Sequence, residues 1–196
     1  VSLLKPQKYV PVSTKPGTMG AVKADSIPEE EGEEKVVNTG EHHRTQQELC
    51  AALWSLSERN ESNQKSIAGE GGIPLLIALL DDHPDIHCDA GGALWSLAAE
   101  EQNQRLIAEA GGIPKLCDLL KPGAPNVAAQ DTASGALHRL AANVANRKLI
   151  AEASGITLLV PLFDGGSART KAHTNDALLA LTKENSSNQF NIALGL

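Results

Sequence analysis

Residues 63–97 read NQKSIAGEGGIPLLIALLDDHPDIHCDAGGALWSL. Asn103 begins the same text again: NQRLIAEAGGIPKLCDLLKPGAPNVAAQDTASGALHRL. A looser third copy starts at Asn146, NRKLIAEASGITLLVPLFDGGSARTKAHTNDALLAL. Asn188 opens a fourth, NQFNIAL, which the sequence carries only into its first helix. The four starts lie 40, 43 and 42 residues apart. Matching residues at a fixed period of this size mark a helical repeat array, in which each unit packs only on its neighbours.

Each full copy divides into three helices. The first is short, residues 63–69 in the first copy, with Ile67 and Ala68 facing inward. Gly71 and Gly72 end it, because a helix often closes on a left-handed residue that glycine adopts at least cost. Pro74 then sits in the first turn of the second helix, where its missing N–H costs nothing. Gly111, Gly112 and Pro114 repeat the pattern. The third copy keeps Gly155 but has Thr157 in place of the proline. The second helices are predicted at 73–80, 113–120 and 156–163, and the long third helices at 85–99, 126–142 and 168–183. Leu49, Ala52, Leu53 and Leu56 share one helical face at i, i+3, i+4 and i+7. The same places recur as Ala90, Ala93, Leu94 and Leu97, as Ala133, Ala136, Leu137 and Leu140, and as Thr174, Ala177, Leu178 and Leu181.

The short helix, glycine turn, second helix and long third helix, with the strings GGALWSLA and LIAEAGGIP, resemble the armadillo family. Within it the chain is most similar to scaffold and adaptor members of the vacuolar-anchor and plant type. The resemblance implies an all-α, right-handed superhelical solenoid of three-helix repeats, here predicted to be a fragment of a longer array. The expected divisions are a repeat end at 1–6, a disordered acidic insert at 7–41 and the third helix of that first repeat at 42–60. Repeats follow at 61–101, 102–144 and 145–186, with the start of another at 187–196. The insert holds the acidic run 29–34 and little to bury. That run reads as a solvated charge run, with a docking site for a basic partner, or a segment covering the groove, as alternatives.

In this family the third helices line a concave groove that holds an extended peptide. By matched position, the groove stripe holds Ala51 and Ser55, Gly92 and Ser96, Gly135 and Arg139, and Asp176 and Ala180. Trp54 and Trp95 occupy one place in successive repeats, with His138 and Leu179 following. Packing between adjacent repeats is the bland reading of the two tryptophans, and a binding anchor the sharper one. Nuclear-import adaptors of the importin-α type resemble the chain in fold, but they carry Trp and Asn where this chain has Ala or Gly and Ser or Arg. The implied function is a protein-interaction scaffold, with Ser55 and Ser96 contacting the partner's backbone and Trp54, Trp95 and Arg139 giving selectivity. An import-type adaptor, the substrate-binding arm of a larger enzyme such as a ubiquitin ligase, and a plain spacer are the alternatives.

The net charge of −7 and pI near 5.3 argue against a nucleic-acid surface, which needs a basic patch. Acidic residues modestly exceed basic ones along the stripe, which favours a protein partner with some positive charge. No apolar run is long enough to span a bilayer and no secretory signal is visible, so no direct membrane insertion is expected. Cys50, Cys88 and Cys117 fit no pairing or metal spacing and read as reduced thiols of a cytoplasmic or nuclear protein. His83, His87 and Cys88 lack a ligand geometry, so no metal is expected, and no cofactor. No phosphate loop, nucleophile elbow or zinc-protease helix occurs, so no enzyme activity is expected.

Overall fold

Side chains that hold backbone groups set the element boundaries along this chain. The structure is a computed structural model describing residues 39–123 and 126–183. The expectations for the opening helix tail, for almost all of the acidic insert and for the fourth copy at Asn188 lie outside the described residues. Ten helices occur among the described residues, and no strand. They are α1 (Thr39–Ser57), α2 (Glu61–Gly69), α3 (Gly72–Leu79), α4 (Pro84–Leu97), α5 (Glu101–Glu109), α6 (Gly112–Asp118), α7 (Val127–Leu140), α8 (Val144–Glu152), α9 (Gly155–Gly165) and α10 (Ala168–Thr182). Asn60, Asn126, Asn143 and Ser167 cap helix starts by accepting backbone N–H bonds in the first turn. His83 caps α4 in the same way, and His87 bonds the Asp82 carbonyl.

The turn between first and second helices needs a left-handed residue each time. Gly71 and Gly111 supply it at φ of 77° and 76°. In the third copy the place falls to Ser154 at φ 61°, a conformation disfavoured for residues with a Cβ. The following glycine is needed for a second reason. A Cβ on Gly72, Gly112 or Gly155 would lie 2.7–2.9 Å from the carbonyl oxygen of Ile67, Ile107 or Ile150. The glycine pair therefore brings the second helix hard against the first. α9 extends beyond the predicted 156–163 and encloses Pro161.

The long helices stack in series, α1 on α4, α4 on α7 and α7 on α10, while the short first helices stack as α2, α5 and α8. Between these layers lies one continuous core. Ala90, Ala93, Leu94 and Leu97 are fully buried, as are Ala133, Ala136, Leu137 and Leu140. In α10, Thr174, Ala177 and Leu181 are buried and Leu178 is half-buried. The equivalent face of α1 departs from expectation: Ala52 is exposed and Leu56 is 58% exposed. No second helix of that repeat packs on α1 among the described residues; Leu49 and Leu53 are half-buried against the core, and Ala52 and Leu56 are left exposed. Burial pushes the Cys50 and Cys117 thiols up to about 12 and raises that of the half-buried Cys88; all three are free. Among the described residues no helix is long and apolar enough to cross a membrane.

The pair that opens each described copy, Asn-Gln in the first two and Asn-Arg in the third, is a polar clamp. Asn63 donates to the Leu56 carbonyl and Asn103 to the Leu97 carbonyl, at the ends of α1 and α4. Asn103 also donates across to the Gln64 carbonyl, and Asn146 to the Gln104 carbonyl. The next residue repeats the device: Gln64, Gln104 and Arg147 donate to the carbonyls of Ser57, Ala98 and Ala141. Orphan carbonyls at helix C-termini are thereby satisfied inside the protein. Asn103 is 2% exposed, so its removal strands buried acceptors. Asn103→Ala is expected to destabilise by about 1–3 kcal/mol. Thermal or urea unfolding followed by circular dichroism checks this; an unchanged midpoint would contradict the clamp.

Candidate functional site: the third-helix face

The third helices present one stripe of side chains, and the two tryptophans dominate its relief. Trp54, on α1, lies across Gly92 of α4. A Cβ on Gly92 would come within 2.4 Å of the indole carbons. Trp95 repeats the contact one unit on, where a Cβ on Gly135 of α7 would come within 2.9 Å of its ring. Gly92 and Gly135 of the stripe are thus each roofed by the tryptophan of the preceding repeat. Packing between repeats is what both rings do, yet each remains only half-buried.

Trp95 reaches further, and touches α10. His173 meets its ring edge-on at a centroid distance of 4.8 Å. Two guanidinium groups also sit against the ring, Arg139 of α7 at 5.2 Å and Arg169 of α10 at 5.1 Å from its centroid. Such contacts are cation–π attractions. Arg169 is held by Asp131, Nε to Oδ2 at 3.0 Å. Asp131 Oδ1 and His173 Nε2 stand 3.8 Å apart, and both are buried without a hydrogen-bond partner among the described residues. His138 Nδ1 and Thr174 Oγ1 are in the same condition. Burial lowers the His173 pKa below the ordinary histidine value, outweighing the opposing charge of Asp131. His173 is therefore neutral at pH 7, and Asp131 has Arg169 as its cationic partner.

Arg139 is fixed differently. Its Nη1 donates to the carbonyls of Trp95 and Ser96, at 2.8 and 3.3 Å, near the end of α4. Cations favour this end of a helix, where backbone carbonyls lack partners. Burial lowers its pKa, with Glu58 opposing at a distance; a guanidinium stays charged regardless. It forms no ion pair among the described residues.

The remaining stripe residues divide by exposure. Ala51, Ser55 and Asp176 are exposed and Ala180 is half-buried. Ser96 is 4% exposed and Gly92 and Gly135 are buried. The accessible part of this face is thus Ser55, the two indoles, Arg139 and Asp176, with the glycines and Ser96 buried. Sequence matching missed His173 and the joint role of Asp131 and Arg169. His173 lies one turn before Asp176, which is the signal that places it beside the stripe.

The model of the Armadillo/beta-catenin-like repeat family matches residues 100–142. No curated protein sequence matches the chain. Among solved structures, an engineered protein from a structural genomics consortium is 24% identical, with a TM-score of 0.72 over 78% of this chain and 62% of its own. A computationally designed armadillo repeat protein for modular peptide recognition is 20% identical, with a TM-score of 0.71 over 81% of this chain and 66% of its own. A designed armadillo repeat protein in complex with the peptide (KR)4 is 18% identical, with a TM-score of 0.69 over 82% and 66%. The chain spans less than two thirds of the length of each.

The indole seats make a direct prediction. Gly92→Ala is expected to displace the Trp54 ring and destabilise by about 1–3 kcal/mol, and Trp54→Leu in the same chain to recover most of the loss. Unfolding curves of the two variants check this; equal stability of Gly92→Ala and the native chain would contradict the seat. The chain carries an armadillo repeat at residues 100–142 within an all-α solenoid fold of the armadillo type.

Proposed function

We propose that the chain is a protein-interaction scaffold that binds an extended protein segment along the face formed by α1, α4, α7 and α10. The observation that carries this reading is the pair of half-buried indoles lying across consecutive repeats, with the unspent donors of Arg139 beside Trp95. Large, rigid aromatics on a polar surface give contact area at small entropic cost. Ser55 offers the backbone of a bound segment a donor and an acceptor. Two structural neighbours are described as peptide-recognising or peptide-bound designs, which supports a segment as ligand.

In this reading the work is binding, not catalysis, and the partner is a protein rather than a nucleic acid. Exposed acidic side chains at both ends of the stripe, Glu48 on α1, Glu58 just after it and Asp176 on α10, favour basic residues towards the ends of the segment. The glycines at the wall positions of import adaptors favour a scaffold over that alternative. Three free thiols suit a cytoplasmic or nuclear setting.

The test is selection of 12-residue random peptides on the full chain, followed by affinity measurement with a Ser55→Arg, Asp176→Arg variant. Both substituted residues are exposed, so the fold is retained. The selected peptides are expected to lose at least about tenfold in affinity. Peptides that bind both forms equally would place the binding surface elsewhere.

A further inference from the structure

Resting on the groove reading, we infer that the bound segment presents an acidic side chain to Arg139 at the middle of the third-helix face. Arg139 uses only Nη1 among the described residues, both of whose protons go to the Trp95 and Ser96 carbonyls. Three of its five donors, on Nε and Nη2, remain unspent. None of these unspent nitrogens is among the buried atoms left without a partner, so they stay accessible and a carboxylate can reach them. The nearest acidic influence, Glu58, acts at a distance and forms no salt bridge with it. The exposed acids elsewhere on the helices frequently have partners: Glu48 has Arg44, Glu61 has Lys65 and Asp118 has Lys121. Arg139 is thus a cation held ready in a chain of net charge −7.

The geometry around it is already fixed. The two carbonyls and the Trp95 ring hold the guanidinium in place, so little side-chain entropy is lost when a ligand arrives. Arg169 adds a second cation against the same ring, and its Nε is anchored on Asp131. A planar carboxylate matches the fork that Nε and Nη2 of Arg139 present. The partner's chemistry is therefore an extended protein segment with aspartate or glutamate at its centre.

The test uses the peptides selected on the full chain. They are expected to share an Asp or Glu at one fixed position. Replacing it by Asn or Gln should weaken binding to the native chain by about tenfold. With Arg139→Gln that difference should vanish, while Arg169→Gln should diminish it only in part. Circular dichroism on Arg139→Gln checks its fold, and the exposed Arg169 supplies an independent variant should Arg139→Gln be destabilised. Peptides that bind the groove, as shown by their loss in Ser55→Arg, Asp176→Arg, but carry no shared acidic position would overturn this inference and leave the groove reading intact. Peptides indifferent to that double variant would overturn both. A synthetic peptide of residues 25–36 that displaces them from the native chain, but not from Arg139→Gln, would assign the place to the chain's own acidic run and overturn the assignment to a separate partner.

Discussion

In a solenoid each unit is stabilised by its neighbours, so the contact between consecutive third helices governs everything built on them. Here that contact is an indole laid on a glycine. Trp54 on Gly92 and Trp95 on Gly135 each close the distance between two long helices that a side chain at the glycine would hold apart. Trp95 also touches His173 and Arg169, so one side chain ties α4 to both α7 and α10. Its position fixes the relief of the face on which a ligand would lie. In the proposed function, packing and recognition would be two uses of the same rings.

The first helices do complementary work. Their Asn and Gln side chains reach backbone carbonyls at the ends of the preceding long helices and, through Asn103 and Asn146, the carbonyls of the previous first helix. A buried carbonyl without a partner is costly, and each clamp removes one or two. Arg147 performs the glutamine's task in the third copy and extends it, donating also to the Lys183 carbonyl after α10. The recurrent pair in the sequence is therefore a device for joining units, placed where three helix ends converge.

Much of this was legible in the sequence, because period and local chemistry act within a single repeat. Glycine pairs, caps and apolar faces depend on near neighbours, and the helices follow them to within two or three residues. What depended on contacts between repeats was not legible. That Gly92 and Gly135 lie buried beneath the stripe follows from where the preceding tryptophan falls. That Arg139 is committed to two carbonyls of α4 follows from a long side chain crossing to another helix. Leu56 matches the core pattern yet stands exposed, since a pattern records what a helix can bury and not what is there to cover it. Ser154 shows the converse: a left-handed turn persisted without its glycine because the surrounding helices dictate it.

The face that results is mixed in charge, aromatic at two places and supported from below by buried small residues. The central claim is that this face, and not the outer layer of short helices, receives the partner. The chain has two tryptophans, so its indole N–H groups give two nuclear magnetic resonance signals, both from this face. Titrating a selected peptide into the nitrogen-15-labelled full chain reads them directly. The account predicts that both indole signals shift progressively while backbone amides of α2, α5 and α8 stay in place. Unmoved indole signals alongside shifting amides in those short helices would contradict it.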